Sequence, residues 1–168
     1  ADYLNAHYDS PSVAIARDSR NRGEEFVRAA AGVLAANGVV AHVYRAIQPT
    51  PVLSFTVREL GCSAGINVTA SHNPAAYNGY KVYGDDGCQI ASQAAVEIQE
   101  GIDGLDFFDD VKRMDFEESS GLTTPLSIAS STRSRHNPSN PKMRGRRVSC
   151  ASSTRRSTAR GLNVSRGY

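Results

Sequence analysis

A chain of 168 residues is about one ordinary domain, and folding at that length buries roughly 70% of the surface the unfolded chain exposes, so one hydrophobic core is feasible. The net charge of +2 divides sharply: residues 1–118 hold all 17 acids and nine of the 19 basic side chains, a balance of −8, while the last 50 residues carry +10 and no acid. No apolar run approaches the ~18 residues that a membrane span needs, and residues 1–10 lack the basic and apolar regions of a signal peptide, which makes cytoplasm the default address.

Residues 2–7 read as a short helix and residues 12–16 as a β-strand, followed by the polar turn 17–23. A helix is predicted from Glu24 onward. Phe26, Val27, Ala30, Val33 and Leu34 recur at helical spacing, Glu24 and Glu25 suit the positive N-terminal end, and Gly38 suits the C-terminal cap. Residues 39–44 read as a strand. Gln48-Pro49-Thr50-Pro51 then opens a helix with Pro51 in or near its first turn, Leu53, Val57 and Leu60 on one face, and Gly61 closing it. Residues 64–68 are a strand again. Asn78-Gly79 signals a tight turn, and residues 80–83 and 88–90, joined by Gly84-Asp85-Asp86-Gly87, read as a small antiparallel hairpin. Ser92 can cap a final helix through about Gly101, and the acidic stretch 103–118 begins a linker or crossover.

Strands alternating with helices imply βαβ crossovers. The predicted fold class is α/β, a three-layer α/β/α arrangement with a mixed, mostly parallel sheet. Ligands of such sheets sit in the loops beyond the strand C-terminal ends, here 17–23 and 69–74. A boundary is placed near Gly121, with a domain over 1–120 and a low-complexity basic tail over 121–168. The tail is rich in Ser, Arg, Thr, Asn and Pro and has one aromatic, Tyr168, so it is expected to be disordered. Cys62, Cys88 and Cys150 have no Cys-x-x-Cys spacing and suggest neither a disulfide framework nor a zinc site. Asn67-Val68-Thr69 and Asn163-Val164-Ser165 fit the glycosylation pattern, but neither has secretory context and the first falls in a predicted buried strand.

Thr69-Ala70-Ser71-His72-Asn73-Pro74, followed by Tyr77-Asn78-Gly79-Tyr80-Lys81, resembles the active-site serine segment of the α-D-phosphohexomutases, the phosphoglucomutase/phosphomannomutase family. The similarity runs from about Val13 to Ile90, in the order of the family's first domain, and takes in Gln48-Pro49-Thr50-Pro51 and Gly84-Asp85-Asp86-Gly87-Cys88-Gln89-Ile90. It implies that Ser71 is the nucleophile and phosphate carrier in a transfer between C1 and C6 of a hexose phosphate, passing through a hexose 1,6-bisphosphate. It implies general acid/base or phosphate-orienting work for Lys81, and a phosphate-binding role for Arg20 in Asp18-Ser19-Arg20. The alternative engagement of Arg20 is an ion pair with Asp18 or Glu24. Arg17 and Arg22 flank it without an assigned role. His72 is a candidate proton shuttle or hydrogen-bond donor to the phosphoserine.

The family's cofactor is Mg²⁺, held by an Asp-x-Asp-x-Asp loop in its second domain, and this sequence has no Asp-x-Asp. Ser71 is therefore the one metal ligand expected here, through its phosphate. The family's N-terminal Gly/Ser/Thr-Arg segment does not precede Ala1, and the sites of the later domains are absent. The chain is accordingly expected to be a fragment with little or no turnover alone, its tail replaced or read out of frame. Sugar preference and oligomeric state are not legible. Two rival readings remain: an anion- or nucleic-acid-binding tail, which has almost no aromatic stacking partner, and a hydrolase using Ser71 with His72, which lacks a Gly-x-Ser-x-Gly elbow.

Overall fold

Strand β1 (Ser12–Arg17) is apolar on both faces, as a central strand must be: Val13 and Ile15 are fully buried on one side, Ala14 and Ala16 on the other. Strands β2 (Val40–Tyr44) and β3 (Ala64–Val68) flank it in parallel, with Val13 opposite both Ala41 and Ala64. Strand β4 (Tyr80–Gly84) returns antiparallel to β3, placing Lys81 opposite Asn67. Strand β5 (Thr123–Leu126) lies parallel to β2 and completes the order β4-β3-β1-β2-β5. This computed structural model describes residues 1–127.

Helices cover both faces. Helix α2 (Gly23–Ala36) buries Val27, Ala31 and Leu34 against Val13, Ile15, Val43 and Ile66, and Leu4 of the short helix α1 (Asp2–His7) joins that layer. Helix α3 (Thr50–Leu60) buries Leu53 and Val57 against Ala14, Ala16, Tyr44 and Tyr83 on the opposite face. The three-layer α/β class with a mixed, mostly parallel sheet is thus the observed one. Gly38 (φ +76°) and Gly61 (φ +65°) follow α2 and α3 in the left-handed region, where a side chain would be strained. Leu53 is 0% exposed, so Leu53→Ala is expected to lower stability by about 2–5 kcal/mol, read as a reduced urea midpoint with unchanged slope.

Four expectations shift. Phe26 lies outside the buried stripe and is 45% exposed, because Val27, Ala31 and Leu34 set the face that meets the sheet. The second hairpin arm is reduced to an isolated bridge between Tyr83 and Gln89, since β4 takes β3 as its ladder partner. The last helix, α4, spans Ser92–Asp103 with Ala91, not Ser92, at its cap position. Strand β5, a four-residue edge strand with a proline, lies past Gly121 and was not read from the sequence.

The acidic stretch after α4 does act as a crossover. It passes over α2, where Arg28 pairs with Glu117 at 2.6 Å and lies 4.9 Å over the Phe116 ring, and a side chain at Gly32 would overlap the Met114 carbonyl. The basic tail expected to be disordered falls, from residue 128 on, outside the described residues, as do Asn163 and Cys150. Among the described residues no helix is long and apolar enough to cross a membrane.

Candidate functional site

Strands β1 and β3 are neighbours and parallel, so the loops leaving their C-terminal ends, 18–22 and 69–79, lie side by side at one edge of the sheet. The second loop joins β3 to its antiparallel neighbour β4. Its base is closed by the Thr69 N–H donating to the Gly79 carbonyl at 3.0 Å. Gly79 is needed for that approach: a Cβ there would stand 2.6 Å from the Thr69 carbonyl oxygen. Asn78-Gly79 therefore makes no tight turn but seals the serine loop.

Ser71 is exposed at the tip and adopts φ +54°, a left-handed conformation that costs a residue with a Cβ roughly 1–2 kcal/mol. Lys81 Nζ donates to Ser71 Oγ at 2.6 Å. The antiparallel return explains the contact: register places Lys81 beside Asn67, on the strand from which the Ser71 loop has just departed. Serine and lysine, ten positions apart in sequence, form one pair.

Arg20 is drawn into the serine loop from the neighbouring one. Its Nη2 donates to the Ser71 carbonyl at 2.6 Å, and its Nη1 donates to the carbonyls of Asn73 (2.7 Å), Pro74 (2.8 Å) and Tyr77 (3.1 Å). Its Nε donates to Asp18 Oδ2 at 3.0 Å, and the side chain is 7% exposed. The ion pair with Asp18 is present, while Glu24 instead takes Arg17 at 3.0 Å and Arg22 pairs with Glu25.

Thr69 has no role assigned from the sequence, and Asp18 only that of an ion-pair partner for Arg20. Asp18 Oδ2 also accepts the Thr69 hydroxyl at 2.6 Å, and Thr69 Oγ1 accepts the Ser71 N–H at 3.1 Å. The signal was available in the spacing: a threonine two residues before the serine, in the pattern of a side-chain-to-backbone turn. Two asparagine contacts tie the loops further, Asn78 Nδ2 to the Asn21 carbonyl at 2.7 Å and the Asn21 N–H to the Ala75 carbonyl at 3.1 Å.

Burial of the Asp18 carboxyl acts to raise its pKa, but hydrogen bonds from Thr69 and Arg20, and the Arg20 charge, overcome it and hold the group below the ordinary carboxylate value. A depressed folded-state pKa contributes stability that is present above the unfolded value, about 3.9, and lost as pH falls through the folded value. Asp18→Asn is therefore expected to flatten the loss of stability below about pH 4, measured by urea unfolding across pH.

His72 is exposed and makes no hydrogen bond among the described residues, so Ser71 Oγ meets Lys81 and not His72, against the Ser-His hydrolase pair. No group of three or more His, Cys, Asp or Glu among the described residues could hold a metal. Ser71 could give Mg²⁺ a ligand only through phosphate oxygens carried on Oγ, and the further oxygen ligands that the ion needs are not grouped among the described residues.

Residues 1–109 match the family model described as phosphoglucomutase/phosphomannomutase, alpha/beta/alpha domain I. The chain belongs to this family. A phosphoglucomutase of Staphylococcus aureus (strain USA300) is 46% identical over 95 residues, 56% of this chain and 17% of that protein. A phosphoglucomutase of Staphylococcus haemolyticus (strain JCSC1435) is 42% identical over 105 residues, 62% of this chain and 19% of the relative. The chain thus spans less than a fifth of the length of these relatives. A crystal structure assigned to a phosphomannomutase from Thermus thermophilus superposes with TM-score 0.63 at 30% identity, over 76% of this chain and 26% of that one. Pp63/parafusin from Paramecium, at TM-score 0.51 and 22% identity, shares the fold. The matched part of this phosphohexomutase domain I contains both edge loops and ends before β5.

Proposed function

We propose that this chain supplies the phosphate-carrying serine of a phosphohexomutase, with Ser71 as the carrier and Lys81 as its proton partner. The observation that carries the reading is the 2.6 Å contact between Lys81 Nζ and Ser71 Oγ at the C-terminal edge of the sheet, inside the segment that matches the family. When a hexose 1,6-bisphosphate delivers a phosphoryl group, the Oγ–P bond forms, the sugar O–P bond breaks, and the Oγ proton ends on the departing sugar oxygen; the return step reverses the exchange, a sugar hydroxyl losing its proton as Oγ regains one. Lys81 Nζ, 2.6 Å from Oγ, is placed to relay that proton between the serine and sugar oxygens. In either charged step the lysine cation offsets charge on the phosphate oxygens. Mg²⁺, where bound, would neutralise the transferring phosphoryl group; the residues described here hold no ligand set for it. Those ligands, the sugar-reading residues and full turnover belong in this reading to the four-fifths of the relatives' length that this chain does not cover. The working compartment is the cytoplasm.

The test is a graft. The matched residues of this chain replace the corresponding segment of the S. aureus phosphoglucomutase, and conversion of glucose 1-phosphate to glucose 6-phosphate is followed by a coupled assay. The graft is expected to turn over, and the 168-residue chain alone to give little or no product. A folded graft without activity would remove the reading, and turnover by the chain alone would remove the claim that other domains are required.

A further inference from the structure

We propose that Arg20, Asp18 and Thr69 form a positioning clamp that holds Ser71 in its left-handed conformation, and that Arg20 is not a phosphate ligand. The consequence for phosphoryl transfer rests on the function proposed above; the clamp itself does not.

A serine at φ +54° returns to more favourable backbone regions unless its neighbours forbid it. Ser71 is restrained at both ends of its own residue. Its N–H donates to Thr69 Oγ1, whose hydroxyl is turned toward Asp18 Oδ2, and its carbonyl accepts Arg20 Nη2. The same Asp18 carboxylate accepts the backbone N–H of Arg20 at 3.2 Å and the Nε of its side chain at 3.0 Å, so one acid fixes both restraints. Arg20 Nη1 holds three further loop carbonyls, which fixes the rest of the tip relative to β1.

Chemistry separates this role from anion binding. A guanidinium that recognises phosphate presents its fork of N–H groups to the ligand. Here five hydrogen bonds run from the Arg20 side chain to protein acceptors, three of them sharing the two Nη1 protons, so that one Nη2 N–H of a side chain 7% exposed is what remains for solvent or ligand, and not a two-pronged fork. The cation that faces Ser71 Oγ is Lys81, from the other side of the loop. The clamp thus aims the nucleophile while Lys81 meets the reacting atoms, and the conformation is set before substrate arrives.

The experiment compares the ¹⁵N-labelled full chain with Thr69→Ser, Thr69→Val and Arg20→Lys variants. It reads the Ser71 HN–Hα coupling, which reports φ, and the Ser71 amide exchange rate divided by that of Ile66 in β3, so that a general loss of stability cancels. Thr69→Val removes the hydroxyl and Arg20→Lys removes the fork; each is expected to shift the coupling and raise the exchange ratio about tenfold to a hundredfold, whereas Thr69→Ser stays near the parent. In the grafted enzyme the same two variants are expected to lower kcat over that range, with KM within about twofold. An unchanged Ser71 coupling and exchange ratio in both Thr69→Val and Arg20→Lys would overturn the clamp. A KM for hexose phosphate raised about tenfold by Arg20→Lys, with Ser71 unmoved, would make Arg20 a phosphate ligand instead. If the unsubstituted graft is inactive, the proposed function falls, and the resonance and exchange data still decide the clamp.

Discussion

Ser71→Ala in the grafted enzyme is expected to lower turnover by at least about 10³-fold while leaving the fold intact. The size of the effect follows from the chemistry: without Oγ there is no atom to carry the phosphoryl group between the two positions of the sugar. The fold has no stake in that atom. Ser71 is exposed, and its Oγ is bonded only to Lys81 Nζ among the described residues, whereas the loop is held by backbone groups of Ser71 that alanine retains. Alanine at φ +54° is strained much as serine is. Circular dichroism and the urea midpoint of the variant should stay close to those of the parent, so the activity loss reads out chemistry.

Lys81→Met is the second large effect expected, a fall of about 10²-fold in kcat, within the range that positioned acid–base groups and charge stabilisers contribute. Methionine preserves the length and apolar stem of the side chain on β4, and Lys81 makes no ion pair among the described residues, so its removal leaves no buried charge without a partner. The loss should fall on phosphoryl transfer at Ser71 and should appear in single-turnover incorporation as well as in steady-state turnover. Equal rates for the parent and the methionine variant would make Lys81 a spectator.

The fold was legible wherever burial imposed a period. Val13, Ile15, Leu53 and Val57 declare their faces because a sheet covered on both sides leaves few alternatives, and Gly38 and Gly61 mark helix ends because they occupy left-handed backbone. Strand β5 was not legible. Thr123-Thr124-Pro125-Leu126 has one buried side chain, Leu126, and carries no alternation; what makes it a strand is β2 beside it, a non-local partner. The second hairpin arm failed for the complementary reason, since β4 found a better ladder in β3.

The site was half legible. Ser71 and Lys81 stand in a recognisable segment, and the antiparallel return of β4 brings them together. The fate of Arg20 could not be read, because its acceptors are carbonyls of residues 71–77, more than 50 positions away, and backbone acceptors leave no mark on sequence. Only the ion pair with Asp18 was within reach of local reasoning. The Asp18–Thr69 contact escaped for a similar reason: Thr69 carries a local signal in its spacing to Ser71, but only the adjacency of β1 and β3 sets the two side chains 2.6 Å apart.

The most direct measurement is phosphosite mapping of the grafted enzyme by tandem mass spectrometry, after incubation with glucose 1,6-bisphosphate and Mg²⁺. The account predicts a single phosphoryl group on Ser71 that is lost again on adding hexose monophosphate. An active enzyme with that serine unmodified at every time point, or with the phosphate on another residue, would contradict it.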